Sequence, residues 1–186
     1  MRPTETLKHE HRVIEKMLDV VEATAGRLQS GRVVDAEIFA QAADFFRSFA
    51  DRCHHGKEER HLFTKLVEKG LPRESGPIAV MLAEHDQGRA HVRTLAEAAA
   101  RLEAGDQTAT AGLLRHALAY VELLRAHIQK EDRILFPLAD RVLSEAEQEA
   151  LAETFDRVEA EEMGEGVHER YHHLVHELEH QVMAEH

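Results

Sequence analysis

The sequence predicts an all-α protein: an up-down-up-down four-helix bundle with a C-terminal helical extension. Three observations predict it. Apolar residues recur at three- and four-residue spacing along the whole chain, with no convincing alternating run. Gly and Pro divide the chain into long periodic segments joined by short connections, which favour antiparallel neighbours. A set of polar residues on the apolar stripes of the first two helices returns on the next two.

The first helix carries Leu7, Ile14, Leu18, Val21 and Leu28, starts after Thr4 as N-cap and ends at Gly31. The second runs from about Asp35 to Lys69, with Phe39, Ala43, Phe46, Ala50 and Leu62 inside, and stops at Gly70-Leu71-Pro72. A third starts near Pro77, a favoured first-turn residue, and carries Ile78, Met81, Leu82, Val92, Leu95 and Leu102 before Gly105. The fourth, about 108 to 142, holds Leu114, Ala117, Val121, Leu124, Leu135, Leu138 and Val142, with Pro137 expected to kink or end it. Each of these would be ~37 to 52 Å long at 1.5 Å per residue. Ser144 and Glu147 form a capping-box pattern that opens a fifth helix with Leu151, Phe155 and Val158. Gly164 and Gly166 interrupt it, and a last helix from about 167 places Tyr171, Val175, Leu178 and Val182 on one face. Residues 1–143 are therefore expected to form the bundle, and 144–186 an extension packed on it.

Composition narrows the function classes. A length of 186 residues suits one domain with an appendage and suffices for a proper core. A formal charge of -12 argues against nucleic acid or an anionic membrane surface as partner. The lone Cys53 allows no intramolecular disulfide and fits a buried structural thiol in a reducing cytoplasm. The N-terminus lacks the apolar core of a signal peptide, and no stretch approaches the ~20 apolar residues of a membrane span. A cytoplasmic location is expected.

The polar repeat carries the chemistry. His11 lies inside the first apolar stripe and His85 inside the third. His54 and Glu58 are four apart, as are His127 and Glu131, so each pair shares a helix face. Glu10-His11 recurs as Glu84-His85, 74 positions on, and His54-x-x-Lys57-Glu58 recurs as His127-x-x-Lys130-Glu131, 73 positions on. Two helical hairpins with approximate two-fold symmetry would bring four imidazoles and two carboxylates to one level of the bundle. In HHGKEER either His54/Glu58 or His55/Glu59 could face inward. The second copy has Ile128 where the first has His55, so His54 and Glu58 are taken as inward, and His55 and Glu59 as supporting or surface groups. Six such groups buried without a cation would carry a large desolvation penalty. With one they are natural ligands for iron, manganese or zinc, and the two carboxylates are placed to bridge two metals. Lys57 and Lys130 are read as stems covering the helix surface, and His168, His172, His176 and His180 as a solvated face of the last helix.

The segments EHRVIEKML (10–18), HHGKEERHLF (54–63), MLAEHDQGR (81–89) and HIQKEDRILFP (127–137) resemble the hemerythrin-like, or HHE cation-binding, family over about residues 5 to 143. The resemblance implies two non-haem iron ions, oxo- or hydroxo-bridged, ligated by His11, His54, Glu58, His85, His127 and Glu131 with Glu58 and Glu131 bridging. It also implies a small diatomic ligand or peroxide as partner: binding or sensing of O2, scavenging of NO, or decomposition of peroxide. A non-catalytic iron-binding or iron-sensing module, or a structural zinc bundle, is the alternative. The chain departs from oxygen-carrying hemerythrin on the third helix, where Arg89 stands four after His85 in place of a second histidine. A guanidinium stays protonated and cannot ligate. The site is thus expected to be one histidine short, with His91, Tyr120, Glu159, Glu162 and His168 as candidates to complete it, and Glu10 and Glu84 orienting ligands only if they reach across helices.

Overall fold

A computed structural model of the chain describes residues 1–164 and 166–183, with the side chains of Glu162, Met163 and Met183 outside that description. The described residues form helices and no strand. Helix α1 is Pro3–Gln29. It begins two residues earlier than Thr4 predicts: Pro3 opens it, Arg2 N donates to Glu5 Oε2, and Thr4 Oγ1 instead ties α1 to Asp140 at 2.7 Å. Gly31, at φ 82°, ends it in the left-handed conformation that costs glycine least.

Helix α2 is a continuous run built from Glu37–Phe45, Phe46–His55, Glu58–Leu62 and Phe63–Glu68. Helix α3 is Gly76–Glu103. Helix α4 is a second composite of Thr110–Lys130, Glu131–Leu135 and Phe136–Val142, entered through a capped turn at Asp106. Phe46–His55, Glu58–Leu62 and Glu131–Leu135 are π-helical, with wider turns closed by i→i+5 bonds. Pro137 does not terminate α4. The wide turn before it absorbs the missing N–H and the ring's bulk, and the helix continues to Val142. Helix α5, Glu145–Val158, opens on the predicted capping box, with Ser144 N donating to Glu147 Oε2 at 2.8 Å. A π-helical turn, Glu159–Met163, and Gly164 precede helix α6, Val167–Met183.

Helices α1 to α4 pack in a ring, each against the next and α4 back against α1, as the all-α bundle requires. Their apolar stripes meet in two separate cores. One contains Phe39, Phe46, Phe49, Leu95, Val121 and Ile128, and α6 covers it with Tyr171, Val175, Leu178 and Val182. The other contains Leu7, Phe63, Leu66, Ile78, Leu135 and Phe136, covered by Leu151 and Phe155 of α5. Each fully buried large side chain contributes roughly 1.5–3 kcal/mol relative to exposure. Between the two cores lies one polar layer, at the level of His11, His54, His85 and His127.

Candidate metal centre

Among the described residues eleven polar or charged ones are buried, and nearly all belong to this layer: Glu10, His11, His54, His55, Lys57, Glu58, His85, His127 and Glu131. Two overlapping groups of ligand atoms lie within 4.8 Å of one another: His11, His54, Glu58 and Glu131, and His55, Glu58, His85 and His127. Glu58 belongs to both. Its Oε1 is 3.5 Å from His54 Nε2 and its Oε2 3.5 Å from His85 Nε2. Glu131 Oε2 likewise lies 3.2 Å from His11 Nε2 and 3.3 Å from His127 Nε2. Each carboxylate therefore spans both halves.

Every imidazole of the layer is held from behind by a carboxylate. The Nδ1–H of His11 donates to Asp132 at 2.8 Å, of His54 to Glu10 at 2.8 Å, of His85 to Glu59 at 2.6 Å and of His127 to Glu84 at 2.9 Å. His55 Nδ1 faces Asp51 at a longer 3.4 Å. This arrangement assigns the proton to Nδ1 and leaves the Nε2 lone pair aimed at the centre of the layer. Nε2 of His11, His54 and His55 and all four oxygens of Glu58 and Glu131 are buried without a hydrogen-bond partner. Unmet acceptors in such number are costly in a dry interior, and a cation between them satisfies all of them together. The donor set, imidazole and carboxylate without thiolate, is that of iron, manganese or zinc.

The sequence repeat extends to these supporting groups. Glu59 and Asp132 are repeat partners and hold His85 and His11, while Glu10 and Glu84 are repeat partners and hold His54 and His127. Both glutamates do reach across helices. The π-helical turns Glu58–Leu62 and Glu131–Leu135 also coincide under the repeat.

His55 breaks the symmetry. It was expected to support the site or lie at the surface; it is 4% exposed and stacks on His85 with ring centroids 3.8 Å apart. The elimination through Ile128 fails because Ile128 is itself buried, so the position faces inward in both copies. The inward stripe of a bundle helix is wide enough for adjacent residues. The turns of Phe46–His55, which have no π-helical counterpart in α4, also reduce the angle between successive side chains below the ~100° of an α-helix. Arg89, at the place of the absent histidine, pairs with Asp51 at 2.8 Å and with Glu59 at 2.7 Å, the two carboxylates behind His55 and His85. Its role was invisible in the sequence. Asp51, four before His55, was the available signal.

The candidates for completing the sphere lie elsewhere. His91 pairs with His116, Nδ1 to Nδ1 at 3.0 Å, and the Tyr120 ring packs on Phe46 at 4.6 Å. Glu159 and His168 gather with Glu10 around Lys57, which is wholly buried and donates to Glu10 at 2.5 Å and to Glu159. That ammonium already fills the place of a cation. The side chain of Glu162 lies outside the description. Lys57 is thus no surface stem, whereas Lys130, which bonds Glu84, is 36% exposed.

Burial and neighbours tune the layer. Burial lowers His54, His55 and His85 to about 4, 4 and 3, keeping them neutral. Burial opposes protonation of His127 too, but Glu131 and Glu84 outweigh it and raise the ring to about 9. Burial, and then the charge of Glu131, push Glu58 well above the usual carboxylate range. Burial raises the Cys53 thiol to about 12, so it is inert.

A family model described as the hemerythrin HHE cation binding domain matches residues 2–139. The chain belongs to that family. Within this hemerythrin HHE chain the match covers α1 to α3, α4 up to residue 139, and all seven residues of the two ligand groups. Proteins described as uncharacterized in Mycobacterium tuberculosis (strains H37Rv and CDC 1551) and Mycobacterium bovis are 29% identical over 161 residues. That alignment covers 87% of this chain and 62% of each relative, so the chain spans under two thirds of their length. No helix among the described residues is long and apolar enough to cross a membrane.

Proposed function

We propose that this hemerythrin HHE domain holds two non-haem iron ions and binds or reacts with a small oxidant or diatomic molecule, O2, NO or peroxide. In this reading residues 1–143 form the metal-binding unit and 144–186 an extension that covers it. His55, His85 and His127 would hold one ion, His11 and His54 the other, and Glu58 and Glu131 would bridge them. The observation that carries the reading is the set of Nδ1–carboxylate bonds that turn the Nε2 atoms toward two shared carboxylates. A structural zinc site is closed by four ligands; here seven residues serve two overlapping groups.

The iron pair would supply the electrons and the binding position for the small ligand. The chain supplies the rest. The carboxylates behind the rings fix their tautomer and orientation. Phe136 stacked on His11 at 5.4 Å and Phe63 on His85 at 6.0 Å close the layer toward one core and keep water from it. With two imidazoles against three, the His11–His54 half would offer an ion fewer protein ligands and so more room for a small molecule. Anaerobic iron loading, metal analysis, and optical spectra on addition of O2, NO and hydrogen peroxide test the proposal. Two irons per chain and a spectral response are expected. One tightly held metal, or zinc retained in preference to iron with no response, would leave the non-catalytic or structural reading.

A further inference from the structure

A pocket of about 450 Å³ opens between α2, α3 and α4 on the His55 side of the polar layer. Its size is that of a small-molecule site. Phe46, Val92, Ala96 and Tyr120 give it a mostly apolar wall, and the lack of a side chain at Gly88 makes room beside Tyr120. A methyl there would stand 3.2 Å from the Tyr120 ring. His55, Asp51 and Arg89 also line it, so the same imidazole borders the pocket and belongs to the metal-ligand groups. Three guanidiniums line it as well. Arg47 is paired with Asp44, and Arg89 with Asp51 and Glu59, whereas Arg93 makes no ion pair among the described residues; Glu97, one turn further on at the outer rim, is the pocket's other charge outside an ion pair and is exposed to solvent. In a chain with formal charge -12, an exposed and unpaired cation at the edge of an apolar pocket is complementary to an anion.

We propose that this pocket binds a small amphipathic carboxylate, its aromatic or short aliphatic body against Phe46, Val92 and Tyr120 and its carboxylate on Arg93. The occupant lies against the ring of His55 and the Asp51–Arg89 pair behind it, so binding and the state of the metal centre are linked. By reciprocity the metal alters affinity for the carboxylate as much as the carboxylate alters affinity for the metal. The link rests on the metal reading above; the pocket itself does not.

Phenylbutyrate and its neutral analogue phenylbutanol are the probes, titrated calorimetrically into the full chain, metal-loaded and chelated, with metal content measured in parallel. Phenylbutyrate is expected to bind more tightly than phenylbutanol. Arg93→Gln, at an exposed position, should weaken phenylbutyrate about tenfold or more while leaving phenylbutanol unchanged. Ala96→Phe, which fills the pocket, should abolish both. With cobalt in the centre, phenylbutyrate should shift the visible bands. Absence of binding, equal affinity for both probes, or indifference to Arg93→Gln and Ala96→Phe overturns the proposal, and a pocket that only admits diatomics would show the first of these. A protein that takes up no metal but still binds phenylbutyrate through Arg93 refutes the metal reading and keeps the pocket. Unchanged cobalt bands with normal binding refute the link.

Discussion

His85 Nε2 and His127 Nε2 face each other at 3.1 Å across α3 and α4, while each ring's Nδ1 donates to its own glutamate. If each ring carried its proton on Nδ1 alone, two lone pairs would point at one another, and the raised His127 ring answers this by taking a second proton where no cation is present. Only a proton or a cation between or beside them relieves that, and a metal relieves Glu58 and Glu131 as well. Metal removal should therefore lower the melting temperature markedly. A metal that binds the folded state alone stabilises it by ~4 kcal/mol at a thousandfold excess over its dissociation constant. Calorimetry of chelated and reloaded protein checks this, and coincident transitions would place any metal at the surface.

His55→Ala should release the ion of the three-imidazole half and spare the other, and His54→Ala should do the reverse. Metal analysis together with the spectrum of cobalt-substituted variants separates the two. Full metal content in His55→Ala would return that residue to a merely supporting place beside His85.

The two lysines of the repeat should differ. Lys57 is sealed under the C-terminal extension between Glu10 and Glu159, whereas Lys130 is partly exposed. Removing one partner of a buried pair costs about 3 kcal/mol, because a charge is left unpaired. An exposed pair is worth under about 1 kcal/mol. Urea midpoints of Lys57→Met and Lys130→Met should diverge accordingly; equal losses would mean that the extension does not seal Lys57 in solution.

The seat of α5 should be acid-sensitive. Bonds from Lys69 and from Ser144 lower the Glu147 carboxyl to about 2. A carboxyl depressed on folding adds stability above its ordinary value of 4.5, and that contribution is lost as pH falls toward 2. Denaturation midpoints of wild type and Glu147→Gln should therefore stay apart from pH 7 to 5 and converge below. Parallel curves down to pH 3 would show that the capping box does not hold this carboxylate.

The bundle was legible because apolar periodicity and Gly/Pro breaks are local signals, and the capping box at Ser144 and Glu147 could be placed to the residue. The inward orientation of His11, His54, Glu58, His85, His127 and Glu131 was legible because the repeat displays it twice. His55 was not, since asymmetry has no second copy to confirm it, and the apolar Ile128 was taken to exclude an inward position when it marks one. The charge on Lys57 suggested a surface stem because Glu159 comes from an extension about a hundred residues away in the chain. The π-helical turns leave no spacing that apolar patterning reveals.

Arg89 offers the most direct check on how this centre departs from its own symmetry. It joins Asp51 and Glu59, and through them His55 and His85, but touches neither proposed metal. Its fork can serve two carboxylates at once, which a lysine's single ammonium does less well. Arg89→Lys should keep the fold and still loosen both rings, lowering metal affinity by roughly 10- to 100-fold, the range seen when groups behind a metal-bound histidine are changed. The loss should fall on the three-imidazole half, so competition with a chromogenic chelator should show one ion released early and the other at the wild-type rate. Arg12→Lys, across the pseudo-two-fold beside Asp132, should mirror the effect on His11 more weakly, because that pair is over half exposed on the arginine side. Equal release of both ions in Arg89→Lys would show that the carboxylates hold His55 and His85 without the guanidinium.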